Sequence, residues 1–105
     1  LFSVHVETMI MATREMLHEA VEMFIARDME AAKRVIREDD IIDECFNKVK
    51  YDLIDSLKRE VKDADECIDV LMLAKYLEKI GDHAVNIGEW EIFQETGNIS
   101  DMRLL

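Results

Sequence analysis

The chain is expected to be all-α, an antiparallel up-down-up three-helix bundle, and three observations lead there. Half of the 105 residues are apolar, proline is absent and glycine is scarce, a composition that suits long helices and disfavours sheet or disorder. Apolar residues recur at helical spacing over three long stretches. These stretches are joined by very short connections, which force neighbouring helices to run antiparallel. At this length the chain forms one domain with a modest core. We expect the bundle over residues 1–97 and a short tail over 98–105.

The first helix is marked by Leu17, Ala20, Val21 and Phe24, extended upstream by Val6, Met9 and Ile10, and runs to about Arg27. Asp28 is a good N-cap for the second. That helix carries Ala32, Val35, Ile42, Phe46, Val49, Leu53 and Leu57 on its inward stripe as far as about Val61, and the Glu38-Asp39-Asp40 cluster is a place where it could bend or loosen. Asp63, with Glu66 three residues on, forms a capping box for the third helix. Its inward residues are Val70, Leu73, Leu77, Ile80, Ala84 and Ile87, and Gly97 closes it just after Thr96 by adopting the left-handed conformation. Gly81 and Gly88, seven residues apart, suit a close approach of helices. Trp90, Phe93, Leu71 and Ile92 fall off the stripe and point to a second apolar surface for another domain or subunit.

Thirteen basic residues against 24 acidic ones give a formal net charge of −11. Such a field repels phosphate backbones and anionic lipid, so nucleic acid is excluded and cations or basic protein surfaces are favoured. No apolar run is long enough for a bilayer and no secretory leader precedes the first helix, so no direct membrane insertion is expected. Cys45 and Cys67 lack metal-binding or redox spacing and read as buried thiols of a reducing, cytoplasmic compartment. The chain starts at Leu1, already helical in pattern, which suggests a piece of a longer protein.

The chemistry lies in two acidic rows. Glu78, Asp82 and Asn86 lie four apart, and Asp39, Asp43 and Asn47 repeat that spacing upstream, so each set forms a line of oxygens along one helix. A turn near Lys62 and Asp63 would place Asp43 level with Asp82, Asp39 with Asn86, and Asn47 with Glu78. Like charges brought together this way raise one another's proton affinity unless a cation neutralises them, and oxygen-only donors favour hard ions. Asp39 falls only ~40° from the centre of its apolar stripe, at a leucine-like angle where a carboxylate is costly unless paired or metal-bound. The Glu78–Asp82 row lies ~110–150° from its own apolar centre, so the seat is expected at the surface.

His83 is rotated ~100° from Asp82 and is expected to pack or face solvent. His5 and His18 are also expected at the surface. The sequence contains no catalytic triad, phosphate-binding glycine loop or HExxH motif, and an enzyme is not expected. The plainer alternative is a metal-free bundle whose acidic face is simply solvated.

Asp39-xxx-Asp43 and Glu78-xxx-Asp82, together with the run Ala74-Lys-Tyr-Leu-Glu-Lys-Ile-Gly-Asp-His-Ala-Val-Asn-Ile-Gly-Glu89, resemble the PhoU family of phosphate-signalling proteins, whose hallmark is a repeated (Glu/Asp)xxxAsp motif. The likeness extends from the first helix to Gly97 and implies one half, the C-terminal one, of a six-helix protein. It implies metal held by Asp39, Asp43, Glu78 and Asp82, as a multinuclear iron cluster or as zinc, manganese or magnesium. It further implies a negative regulator of phosphate uptake and phosphate-starvation signalling, docked on a phosphate ABC transporter and a sensor histidine kinase through Ala74 and Lys75. Lys75 and Lys79 stand where the family more often has arginine. A homodimer is expected. The alternative within the family is a regulatory domain of a sodium-phosphate or other phosphate transporter.

Overall fold

The computed structural model of the chain describes residues 4–59 and 64–97. Three helices account for nearly all of them: α1 (Val4–Ala26), α2 (Met29–Arg59) and α3 (Ala64–Thr96). All three pack on one another, with the longest seam between α2 and α3, and the body measures 52 × 24 × 16 Å. The long dimension is that of one helix of some thirty residues, at about 1.5 Å of rise each. The expected capping residue Asp63, the turn beside it, the end of α2 near Val61 and the tail over 98–105 lie outside the described residues.

The α1–α2 reversal is built by two adjacent residues. Arg27 takes a left-handed backbone, φ 56°, and the Asp28 N–H then donates back to the Met23 carbonyl at 3.1 Å, closing α1 as a Schellman-type cap does. The Asp28 carboxylate accepts the Ala31 N–H at 3.1 Å, so the predicted N-cap is made. At the far end of α3, Gly97 has φ 68° and its N–H donates to the Phe93 carbonyl at 2.7 Å, again as expected. The acidic cluster at residues 38–40 does not break α2, which runs through it without interruption.

The inward stripe of α2 matches the sequence reading, with Leu57 partly buried and the other six residues buried. That of α1 matches only in part. Val6, Met9 and Ala20 are buried as expected, whereas Ile10, Leu17, Val21 and Phe24 are exposed and Thr13, Met16 and Met23 complete the core. The buried line is rotated by about 50°, half a residue step, from the expected one. Since α1 is apolar around much of its circumference, periodicity alone does not choose between the two lines. The shared core does: α2 and α3 bring small residues to it, Ala31, Ala32, Ala84 and Gly88, and unbranched methionines adapt best to the irregular space that small residues leave.

On α3 the most buried line runs through Cys67, Val70, Ala74, Gly81, Ala84 and Gly88. Leu73, Leu77, Ile80 and Ile87, expected at the centre, flank it half-buried. Ile92, expected on a second surface, is core. Gly88 sits where a methyl would lie 3.1 Å from the Ala32 carbonyl oxygen and 3.3 Å from Ile36, so the helices close up there because no Cβ intervenes. At Gly81 the same methyl would meet Ile42 at an ordinary 3.4 Å.

Candidate metal and docking site

The α2–α3 seam sets the positions of both acidic rows. Ile42 faces Gly81, Ile36 faces Gly88, and the Lys75 ammonium lies over the Phe46 ring, 4.5 Å from its centroid. This register sets Asp39 and Asp43 of α2 beside Glu78 and Asp82 of α3. Asp43 reports the proximity: burial, and then the charges of Asp39, Glu78, Asp82 and Asp40, push its carboxyl above the ordinary range. Both copies of the motif therefore act on one group.

The four carboxylates differ in setting. Asp39 is 3% exposed, as its wheel position predicts. Glu78 is half-buried and accepts a hydrogen bond from Lys75 Nζ at 3.0 Å. Asp43 and Asp82 are exposed, so the seat opens to solvent. Among the described residues, no three His, Cys, Asp or Glu side chains form a ready-made metal cluster.

Ala74 and Lys75 part company in the fold. Ala74 is 2% exposed and packs in the core, so the expectation that it touches a partner is corrected. A small residue there lets α3 lie close, while Lys75 and Tyr76 stand at the surface.

Two features of the site region went unread in the sequence. Glu89 and Glu91 are both fully buried. Glu89 continues the Asp82–Asn86 row by one turn, a spacing that could have drawn attention to it. Glu91 carries no such signal; burial, then Glu95, pushes its carboxyl up against the opposing pull of Arg27. The histidines divide. His18 and His83 are at the surface, with His18 near Glu22, whereas His5 Nδ1 meets Asp52 at 2.6 Å and ties α1 to α2. Cys45 and Cys67 are buried free thiols, and burial raises the Cys45 thiol.

A second surface lies between α1 and α3. Val21, Phe24, Ile25, Ile87, Trp90 and Gln94 line an open groove of about 500 Å³, with the Trp90 ring edge-on to Phe93 at 5.6 Å. This groove holds Val21 and Phe24, two of the residues displaced from the expected α1 stripe. Among the described residues no helix is long and apolar enough to cross a membrane.

Comparison with known proteins adds three findings. Residues 6–90 match the family model described as the PhoU domain. The chain is 37% identical over 78 residues to a phosphate-specific transport system accessory protein PhoU homolog of Burkholderia sp, covering 74% of this chain and 33% of that protein. It is 32% identical over 84 residues to the homolog of Borreliella burgdorferi (80% and 38%) and 30% identical over 86 residues to homolog 1 of Thermotoga maritima (82% and 37%). The aligned part thus spans well under half the length of these relatives. No solved structure matches the chain.

Proposed function

Because this chain belongs to the PhoU family, we propose that it is a regulatory module of phosphate transport, which restrains uptake and phosphate-starvation signalling when phosphate is ample. It works by docking and not by catalysis, in the cytoplasm, on a phosphate ABC transporter and a sensor histidine kinase, and it functions as a homodimer. Its relatives are named as accessory proteins of phosphate-specific transport systems, which supports the transporter half of this reading.

The observation that carries the site is the field at Asp43, where Asp39, Glu78 and Asp82 act together. The donor set fits a hard cation: carboxylates from two helices, open to water, with one of them raised in proton affinity by burial and then by its neighbours. Asp43, Glu78 and Asp82, with Asp39 beneath them, would hold it. Among the described residues no three such side chains are grouped in advance, so water would complete the ion's shell. Magnesium, manganese, zinc and iron, including a multinuclear iron cluster, are the ions to test. Such an ion would neutralise the seam and fasten α2 to α3. Lys75 and Lys79 then present the docking face.

The test has two parts. Mn²⁺ or Fe³⁺ added to chelator-treated protein raises the melting temperature, as binding to the folded state alone requires, and Asp43→Asn abolishes the rise. A pull-down with the transporter's ATPase subunit or the kinase is lost with Lys75→Glu. No thermal shift with any of the four metals returns the acidic face to simple solvation.

A further inference from the structure

We propose that Lys75 is a tethered counter-ion of the acidic seam, one that a bound cation displaces and that is thereby handed over to the docking face. The inference rests on the reading that the seam takes a cation. Lys75 makes two contacts at once: its Nζ donates to Glu78 Oε1 at 3.0 Å, and the same ammonium lies 4.5 Å from the centroid of the Phe46 ring. The two partners come from different helices, α3 and α2, so the ammonium spans the seam beside the carboxylates. Phe46 is buried and its face is a cation–π seat.

The charges around Glu78 explain the arrangement. With Ile42 packed against Gly81, the seam sets Asp39 and Asp43 of α2 beside Glu78 and Asp82 of α3. Against this cluster Lys75 supplies the positive charge paired directly with Glu78. A multivalent cation that takes Glu78 has to compete with an ammonium already within hydrogen-bond distance. Once displaced, the ammonium leaves its carboxylate. The Phe46 face alone is a weaker hold, and the Lys75 side chain, 57% exposed, is then free to meet a single carboxylate on the partner. By reciprocity, a partner carboxylate that captures Lys75 frees Glu78 and tightens cation binding. The cation and the partner thus reinforce each other through one lysine.

Mn²⁺ titrated calorimetrically into the wild-type chain, Lys75→Met, Lys79→Met and Asp43→Asn tests this. Methionine keeps the apolar stem over Phe46 and removes only the charge, while Lys79→Met removes an equal charge from the adjacent turn. Lys75→Met is expected to bind Mn²⁺ about tenfold tighter than wild type, and Lys79→Met to change affinity by about twofold or less, because contact pairs outweigh screened charges. Mg²⁺, a diamagnetic ion, should also shift the wild-type Lys75 ammonium resonance. Equal gains from the two lysine variants, or no gain from Lys75→Met while wild type binds and Asp43→Asn does not, overturn the exchange but leave the metal reading standing. Absence of Mn²⁺ binding in wild type and Lys75→Met alike overturns both.

Discussion

Glu38 shows how single carboxyls respond to the crowding of acid on this molecule. Burial comes first and then Glu19, by hydrogen bond and by charge; these hold its carboxyl above the ordinary 4.5, with Arg34 opposing and Glu15 adding to the rise. Glu19 is meanwhile engaged by Arg34 at 3.3 Å. A raised folded-state value favours the protonated form, so this contribution to stability is fully present below pH 4.5 and is lost as pH rises through the raised value. Glu38→Gln should therefore melt higher than wild type at neutral pH, and the difference should vanish near pH 4. The gain stays under about 1 kcal/mol, since Glu38 is partly solvated and its neighbours are screened. Paired thermal melts at the two pH values check it, and an equal or lower melt at neutral pH would mean that the Arg34 attraction dominates.

At the scale of the helix, α1 is where pattern and fold part. Val6, Met9 and Ala20 belong to the core on either reading, and the choice lies between Leu17, Val21 and Phe24 on one side of them and Thr13, Met16 and Met23 on the other. The pattern on α2 is clean, because its solvent side is densely charged, so only one face can be buried. Two alanine substitutions separate the stripes on α1. Met16, 1% exposed, should cost about 2–4 kcal/mol on truncation to alanine. Leu17, 39% exposed, should cost under about 1 kcal/mol. Chemical denaturation of the two variants measures both, and a reversed order would put the predicted stripe back in the core. From the exposed line, Val21 and Phe24 join Ile87 and Trp90 to form the groove between α1 and α3.

Taken whole, the molecule carries a formal charge of −11 on a narrow body 52 Å long. Self-repulsion on that scale works against the compact state. Its exposed ion pairs, Arg34–Glu19, Lys48–Glu44 and Lys33–Glu30 at 3.3–3.6 Å, are each worth little. Raising NaCl from about 0.01 M to about 0.1 M cuts the screening length from about 30 to about 10 Å. The melting temperature should rise by about 2–8 °C, the equivalent of about 1 kcal/mol in a domain of this size. A fall would show that the ion pairs outweigh the net repulsion.

The sequence by itself determined the three helices, the caps at Asp28 and Gly97, the buried face of α2 and the family, because each depends on residues close together in the chain or on a long contiguous run. It also placed Asp39 inward, since its angle on α2 is set by 100° per residue and nothing else. What only the tertiary structure decided is which side of α1 is buried, that Ala74 is core while Lys75 is surface, and that Lys75 joins Glu78 to Phe46. Those outcomes depend on the shape offered by a neighbouring helix: small residues on α2 and α3 admit methionines, and a glycine at 88 draws the seam close enough to touch the Ala32 backbone. One helix's periodicity carries no information about the volume on the other side of the contact.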